Sequence, residues 1–137
     1  SLFFFLLLFL HRIMIEGAVI SAKTGTAPEA NSILIPKDEA DKAMDAAACI
    51  GCGACVAACK TASASLFTAA KINHLNSLPQ GKPEQKMRIS RMVKKMESEG
   101  FGSCSFTGAC EVECPEGISI ANIVEMHSRY LKTQLFG

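Results

Sequence analysis

The chain has 137 residues, with 14 Lys and Arg against 13 Asp and Glu for a net charge of +1. That balance fits neither a strongly basic nucleic-acid binder nor an acidic disordered tail. Hydrophobic residues make up 49% and charged residues 20%, which suits one buried core and is too apolar for disorder. With no Trp and one Tyr, the chain offers no aromatic platform for stacking bases, and no nucleic-acid partner is expected.

The chain opens on Ser1, and residues 2–10 are an unbroken run of Leu and Phe. Nine helical residues rise only about 14 Å, against roughly 20 residues needed to cross a bilayer. The run also lacks the basic region that starts a signal peptide. It reads as an artefact or truncated leader joined to a real domain, with a buried core helix and a membrane anchor as competing readings. No later segment approaches transmembrane length, so the remainder should be soluble or membrane-peripheral.

Residues 22–36 are rich in Thr, Gly, Pro, Asn and Ser, with Ile33-Leu34-Ile35 as the one apolar run, and read as an ordered loop or linker. Asp38 is a suitable N-cap for a short helix to about Ala47. Residues 62–78 contain no Gly or Pro and place Leu66, Phe67, Ala70, Ile72, Leu75 and Leu78 at helical spacing. The first half of that helix is apolar nearly all round, which predicts burial. Pro79-Gln80-Gly81-Lys82-Pro83 is a turn ahead of a helix over about 84–99, with Ile89, Met92, Val93 and Met96 on one face. Gly100 follows, where a left-handed residue is wanted. Ser119 should cap a last helix with Ile120, Ile123, Val124 and Leu131 on its buried face. Strand-like alternation is absent, so the expected fold is all-α with cysteine-bearing loops between helices.

Those loops hold the chemistry. Seven cysteines in 137 residues is about 5%, below a disulfide scaffold and high for an ordinary enzyme. The first cluster is Cys49-x2-Cys52-x2-Cys55-x3-Cys59; the second, Cys104-x2-Thr107-x2-Cys110-x3-Cys114-Pro115, repeats it with Thr107 in place of a cysteine. An iron–sulfur cube wants a thiolate at each corner, and cysteines two residues apart wrap a tight loop round three corners. Gly51, Gly53 and Ala54 keep that loop small. In two-cluster ferredoxins the fourth cysteine of each run ligates the other cluster. On that rule Cys49, Cys52, Cys55 and Cys114 hold a [4Fe–4S] cluster. Cys59, Cys104 and Cys110, three thiolates, hold a [3Fe–4S] cluster. Competing readings are two [4Fe–4S] clusters with water or another oxygen ligand at the Thr107 corner, a zinc-bound interaction module, and disulfides, which the odd count opposes.

The stretches ACIGCGACVAAC, SLPQGKPE, SEGFGSC and TGACEVECPEGISI resemble the C-terminal domain of the iron–sulfur subunit of succinate dehydrogenase/fumarate reductase, in its Bacteroidetes-like form. The resemblance spans residues 12–137 and leaves 1–11 unmatched. It implies the α-helical ferredoxin fold, with two clusters held by inter-helix loops. It also implies a non-catalytic electron-transfer subunit relaying electrons from a flavoprotein subunit to a quinone at a membrane-anchor cytochrome b subunit. The expected location is peripheral, on the cytoplasmic face of the inner membrane. The family's upstream [2Fe–2S] domain has no counterpart here, so this segment is not expected to be active alone. Relatives carry Pro after the fourth cysteine of the first run, and those whose quinone site touches this subunit have a Trp and a His where Ala64 and Ser105 stand. Here Lys60 replaces the Pro, and no quinone residues are assigned. The alternative within electron transfer is the iron–sulfur subunit of a heterodisulfide-reductase-like or glycerol-3-phosphate dehydrogenase complex, with two [4Fe–4S] clusters.

Other polar residues have plainer readings. His11, His74 and His127 lack metal-ligand spacing and read as surface or boundary residues. Lys82, Lys86, Arg88, Arg91, Lys94 and Lys95 read as a solvated helix face, or else a docking face for a membrane subunit. Glu111 and Glu113 flank the second cluster and are either a solvated pair or a source of negative charge beside it. Met87, Met92, Met96 and Met126 read as packing residues.

Overall fold

The computed structural model describes residues 2–21, 29 and 31–137. Among the described residues every regular element is helical: α1 (Leu2–Ile15), α2 (Lys37–Ala47), α3 (Ala54–Ala58), α4 (Ser65–Asn76), α5 (Gln85–Ser98), α6 (Ala109–Val112) and α7 (Ala121–Phe136). A 3-10 turn, Pro79–Gly81, joins α4 to α5. The all-α expectation holds for these residues.

Helix α4 is the axis of the fold. Leu66, Phe67, Thr68, Ala69, Ala70, Ile72 and Asn73 are all buried, and α1, α2, α5 and α7 pack round it. A helix with no polar face is stable only in the interior. Its alanines, with the buried Ala43 and Ala46 of α2, let neighbouring backbones come close. Helix α5 supplies the stripe Ile89, Met92, Val93 and Met96, all buried. Its end is a Schellman motif: Gly100, at φ +85°, donates its amide to the Glu97 carbonyl, and Phe101 donates to Met96. The turn before α5 needs glycine, because a Cβ on Gly81 would meet the Leu75 carbonyl oxygen at 1.9 Å.

Several expectations are corrected. Helix α2 starts one residue before Asp38, with Pro36 at the N-cap and no side-chain cap; Asp38 and Glu39 instead lie in the first turn, where the helix dipole favours them. Ser119 lies one residue before the N-cap of α7, which is Ile120, yet its Oγ accepts from the Ala121 amide at 3.2 Å as a capping side chain does. The buried face of α7 is Ile123 and Met126; Val124 and Leu131 are 55% and 59% exposed. Arg88 does not belong to a solvated face, since it is fully buried. Residues 22–28 and 30 of the expected linker lie outside the described residues; Ile33 and Leu34 are exposed.

Helix α1 runs unbroken from the Leu/Phe run into residues 12–15. Leu10 and Ile13 are buried in the core, whereas Leu2, Phe3, Phe4, Phe5 and Leu8 are exposed. The Phe9 ring lies 5.3 Å from that of Phe101, and Arg12 pairs with Glu99 at 3.7 Å. No helix among the described residues is long and apolar enough to cross a membrane.

Candidate functional site

The two cysteine runs fold alike. Gly53 starts α3 at φ +78°, ψ 1°, and Gly108 starts α6 at φ +78°, ψ 0°. Left-handed residues recur in pairs 55 positions apart: Gly51 with Phe106, Gly53 with Gly108, Ala62 with Gly117. The sequence repeat is therefore a backbone repeat, and it persists where Phe106 and Ala62 must adopt a conformation that costs an L-residue roughly 1 kcal/mol. At Gly53 the need for glycine is double. The left-handed φ disfavours a Cβ by roughly 1 kcal/mol, and a Cβ would meet Leu6 Cδ2 of α1 at 2.8 Å, so that side chain would have to shift.

The repeats pack against each other through α3 and α6, which exchanges their fourth cysteines. Cys49, Cys52, Cys55 and Cys114 line one cavity, walled by Leu66, Phe67 and Ile118. Cys59, Cys104 and Cys110 line a second, together with Thr107, Ser63, Ser65 and Ile123. Leu66 belongs to both and forms the wall between them. All seven cysteines are half-buried free thiols.

The surroundings of the thiols differ. Burial pushes Cys49 up, against the Gly51 amide and the charge of Lys71, whose Nζ donates to the Cys49 carbonyl at 2.5 Å. Burial, with Cys49 adding to it, pushes Cys55 up to about 11. Cys110 is likewise raised, by burial first and then by Cys104 and Cys59. Cys59 goes the other way: burial opposes ionisation, but the Thr61 hydroxyl and the amides of residues 61–63 outweigh it. Thr61 Oγ1 lies 3.3 Å from Cys59 Sγ and also donates to the Ser103 carbonyl. Cys114 Sγ accepts from the Ile118 amide at 3.4 Å.

This donor set fits an iron–sulfur cluster. Buried thiols whose ionisation is opposed stay protonated until a cationic centre takes the charge. Among the described residues no three His, Cys, Asp or Glu side chains are placed to hold one metal ion. His11 and His127 are exposed and His74 half-buried, the surface and boundary places expected of them.

Sequence reasoning missed several residues of the site. Thr61, Ser63 and Ser65 carry no motif; their signal was position, between Cys59 and the start of α4, where Thr61 is exposed and Ser63 and Ser65 are buried. Ser63 Oγ and Ser65 Oγ lie 2.7 Å apart, and Ser65 Oγ reaches Met96 Sδ at 3.9 Å. Glu111 Oε2 accepts from the Ile120 amide at 2.8 Å and Ser119 Oγ from the Ala121 amide at 3.2 Å, so the two share the start of α7.

Residues 45–118 match the family described as the 4Fe-4S dicluster domain. No curated protein and no solved structure matches the chain.

Proposed function

Because the chain belongs to the 4Fe-4S dicluster domain family, we propose that it relays single electrons as the C-terminal part of a succinate dehydrogenase/fumarate reductase iron–sulfur subunit. In this reading a [4Fe–4S] cluster sits at Cys49, Cys52, Cys55 and Cys114, and a [3Fe–4S] cluster at Cys59, Cys104 and Cys110. The observation that carries it is the exchange of fourth cysteines between runs, which leaves one cavity with four thiols and the other with three plus Thr107. An alcohol stays protonated at neutral pH and is a poor iron ligand beside a thiolate.

The clusters supply one-electron chemistry; the chain holds, spaces and insulates them. No residue acts as acid, base or nucleophile. Leu66 and Phe67 exclude water from the first site, and Leu66 and Ile123 from the second. Electrons enter from a flavoprotein subunit and leave toward quinone at a membrane-anchor cytochrome b subunit, with the chain peripheral on the cytoplasmic face. Ala64 stands where some relatives place a quinone-contacting Trp. Here it is buried, and its amide donates to the Phe101 carbonyl at 2.8 Å, so it serves packing.

A second reading is favoured by the family's description: two [4Fe–4S] clusters, with an oxygen ligand at the Thr107 corner. Iron analysis and EPR of anaerobically prepared protein separate the two. About seven irons and an oxidised signal near g = 2 support the first reading. About eight irons and no such signal support the second, and a colourless zinc protein overturns both. Succinate-dependent dye reduction by the chain alone would contradict its role as a subunit segment.

A further inference from the structure

The 55-residue repeat contains an internal comparison. Two residues after the fourth cysteine of the first run stands Thr61; at the same place after Cys114 stands Glu116. The backbone at the two places is equivalent, since Ala62 and Gly117, the next residues, are both left-handed. The chemistry is opposite. Thr61, itself exposed, puts a hydroxyl 3.3 Å from the Sγ of Cys59, which lines the second cavity with Cys104 and Cys110. Glu116, exposed, is one of the residues at the edge of the Cys49, Cys52, Cys55 and Cys114 cavity, with no ion-pair partner in the structure among the described residues.

We infer that this repeat position sets the two sites apart in reduction potential, Thr61 raising the second and Glu116 lowering the first. The inference rests on the electron-transfer reading above. Reduction adds one electron and breaks no bond, so whatever favours extra negative charge on the sulfurs favours the reduced form. A hydroxyl donating to a ligand sulfur does so, and a nearby carboxylate opposes it. The Thr61 proton lies between two acceptors, the Ser103 carbonyl and Cys59 Sγ; a thiolate competes for it with full charge. The amides of residues 61–63 also face the same sulfur. Thr61 and Glu116 are both exposed; Thr61 touches the ligand sulfur, whereas the Glu116 charge acts at a distance, is screened by solvent and has the smaller effect.

The test is an EPR-monitored potentiometric titration of the cluster-loaded chain. Thr61→Val, which keeps the shape and loses the hydroxyl, should lower the midpoint of the second site and leave the first in place. Thr61→Ser should restore it. Glu116→Gln should raise the midpoint of the first site only. An unchanged second midpoint in Thr61→Val, or equal shifts at both sites, overturns the inference. If Thr61→Val loses iron, Glu116→Gln decides, and an unmoved first midpoint overturns it. Wild-type protein without iron and sulfide would instead overturn the electron-transfer reading itself.

Discussion

Replacing Arg88 with Met should be the most destabilising single change away from the cysteines. Its guanidinium is fully buried and binds four acceptors. Nε donates to the Gly17 carbonyl at 2.8 Å, and Nη1 to Asn76 Oδ1 at 2.6 Å and the Gly81 carbonyl at 2.8 Å. Nη2 donates to the Val19 carbonyl at 2.7 Å and lies 3.7 Å from Glu84. One side chain thus fastens the segment after α1, the end of α4 and the turn before α5. Met fills similar space and satisfies none of these acceptors. A buried acceptor left unpaired costs about 1–3 kcal/mol, and breaking a buried charged pair about 3–5 kcal/mol. Local rehydration of the Val19 end, which is only part-buried, trims the sum to about 4 kcal/mol. That is a large share of the roughly 5–15 kcal/mol that holds a domain together. With a urea slope of about 2 kcal/mol per molar, the midpoint should fall by about 2 M. Arg88→Lys, which reaches fewer carbonyls from a single point, should lose about half as much. The measurement is anaerobic urea unfolding of cluster-loaded protein followed by far-UV circular dichroism. EPR in the absence of urea should be unchanged, because Arg88 touches neither cavity. A midpoint shift below about 0.3 M for Arg88→Met would refute the reasoning.

Gly53→Ala should deplete iron at the first site, since it forces a Cβ onto Leu6 at a left-handed φ; Leu6→Ala in the same chain should recover only part of the iron, because the φ strain remains. Thr107→Cys should complete C-x2-C-x2-C-x3-C, raise iron from about seven to about eight per chain and extinguish the signal near g = 2; unchanged iron would place the fourth corner elsewhere. His74 is held below its ordinary range by burial first and by Lys71 second. The unfolded state therefore binds the proton more readily, and stability should decline slightly as pH falls below about 6.5. His74→Gln should flatten that part of the urea-midpoint profile, and an identical profile in the variant would rule the group out.

Local sequence determines much of this molecule because much of its chemistry is local. Cysteines at 2-2-3 spacing, with glycine where the chain turns left-handed, specify a ligand loop within eleven residues, and the repeat of that pattern specifies a second. The helix stripes of α5 and the apolar cylinder of α4 follow from periods of three to four residues. Gly100 marks a helix end wherever it is placed. Such features depend on neighbours in the chain and are readable without a fold.

Tertiary structure decided what depends on neighbours across it. Cys114 reaches the first loop, and Cys59 the second, only because α3 and α6 pack together. Arg88 looks like one of a basic run until the carbonyls of Gly17, Val19 and Gly81 converge on it. Val124 and Leu131 fit an amphipathic pattern for α7, yet the direction in which α7 lies on α4 and α5 selects Ile123 and Met126 instead. Glu111 shares the start of α7 with Ser119, because α6 delivers its carboxylate to the Ile120 amide. Helix α1, a bare Leu/Phe run in sequence, sets Leu6 against Gly53. In each case short-range preference allowed several partners, and the burial of polar groups and the close packing of the interior left one.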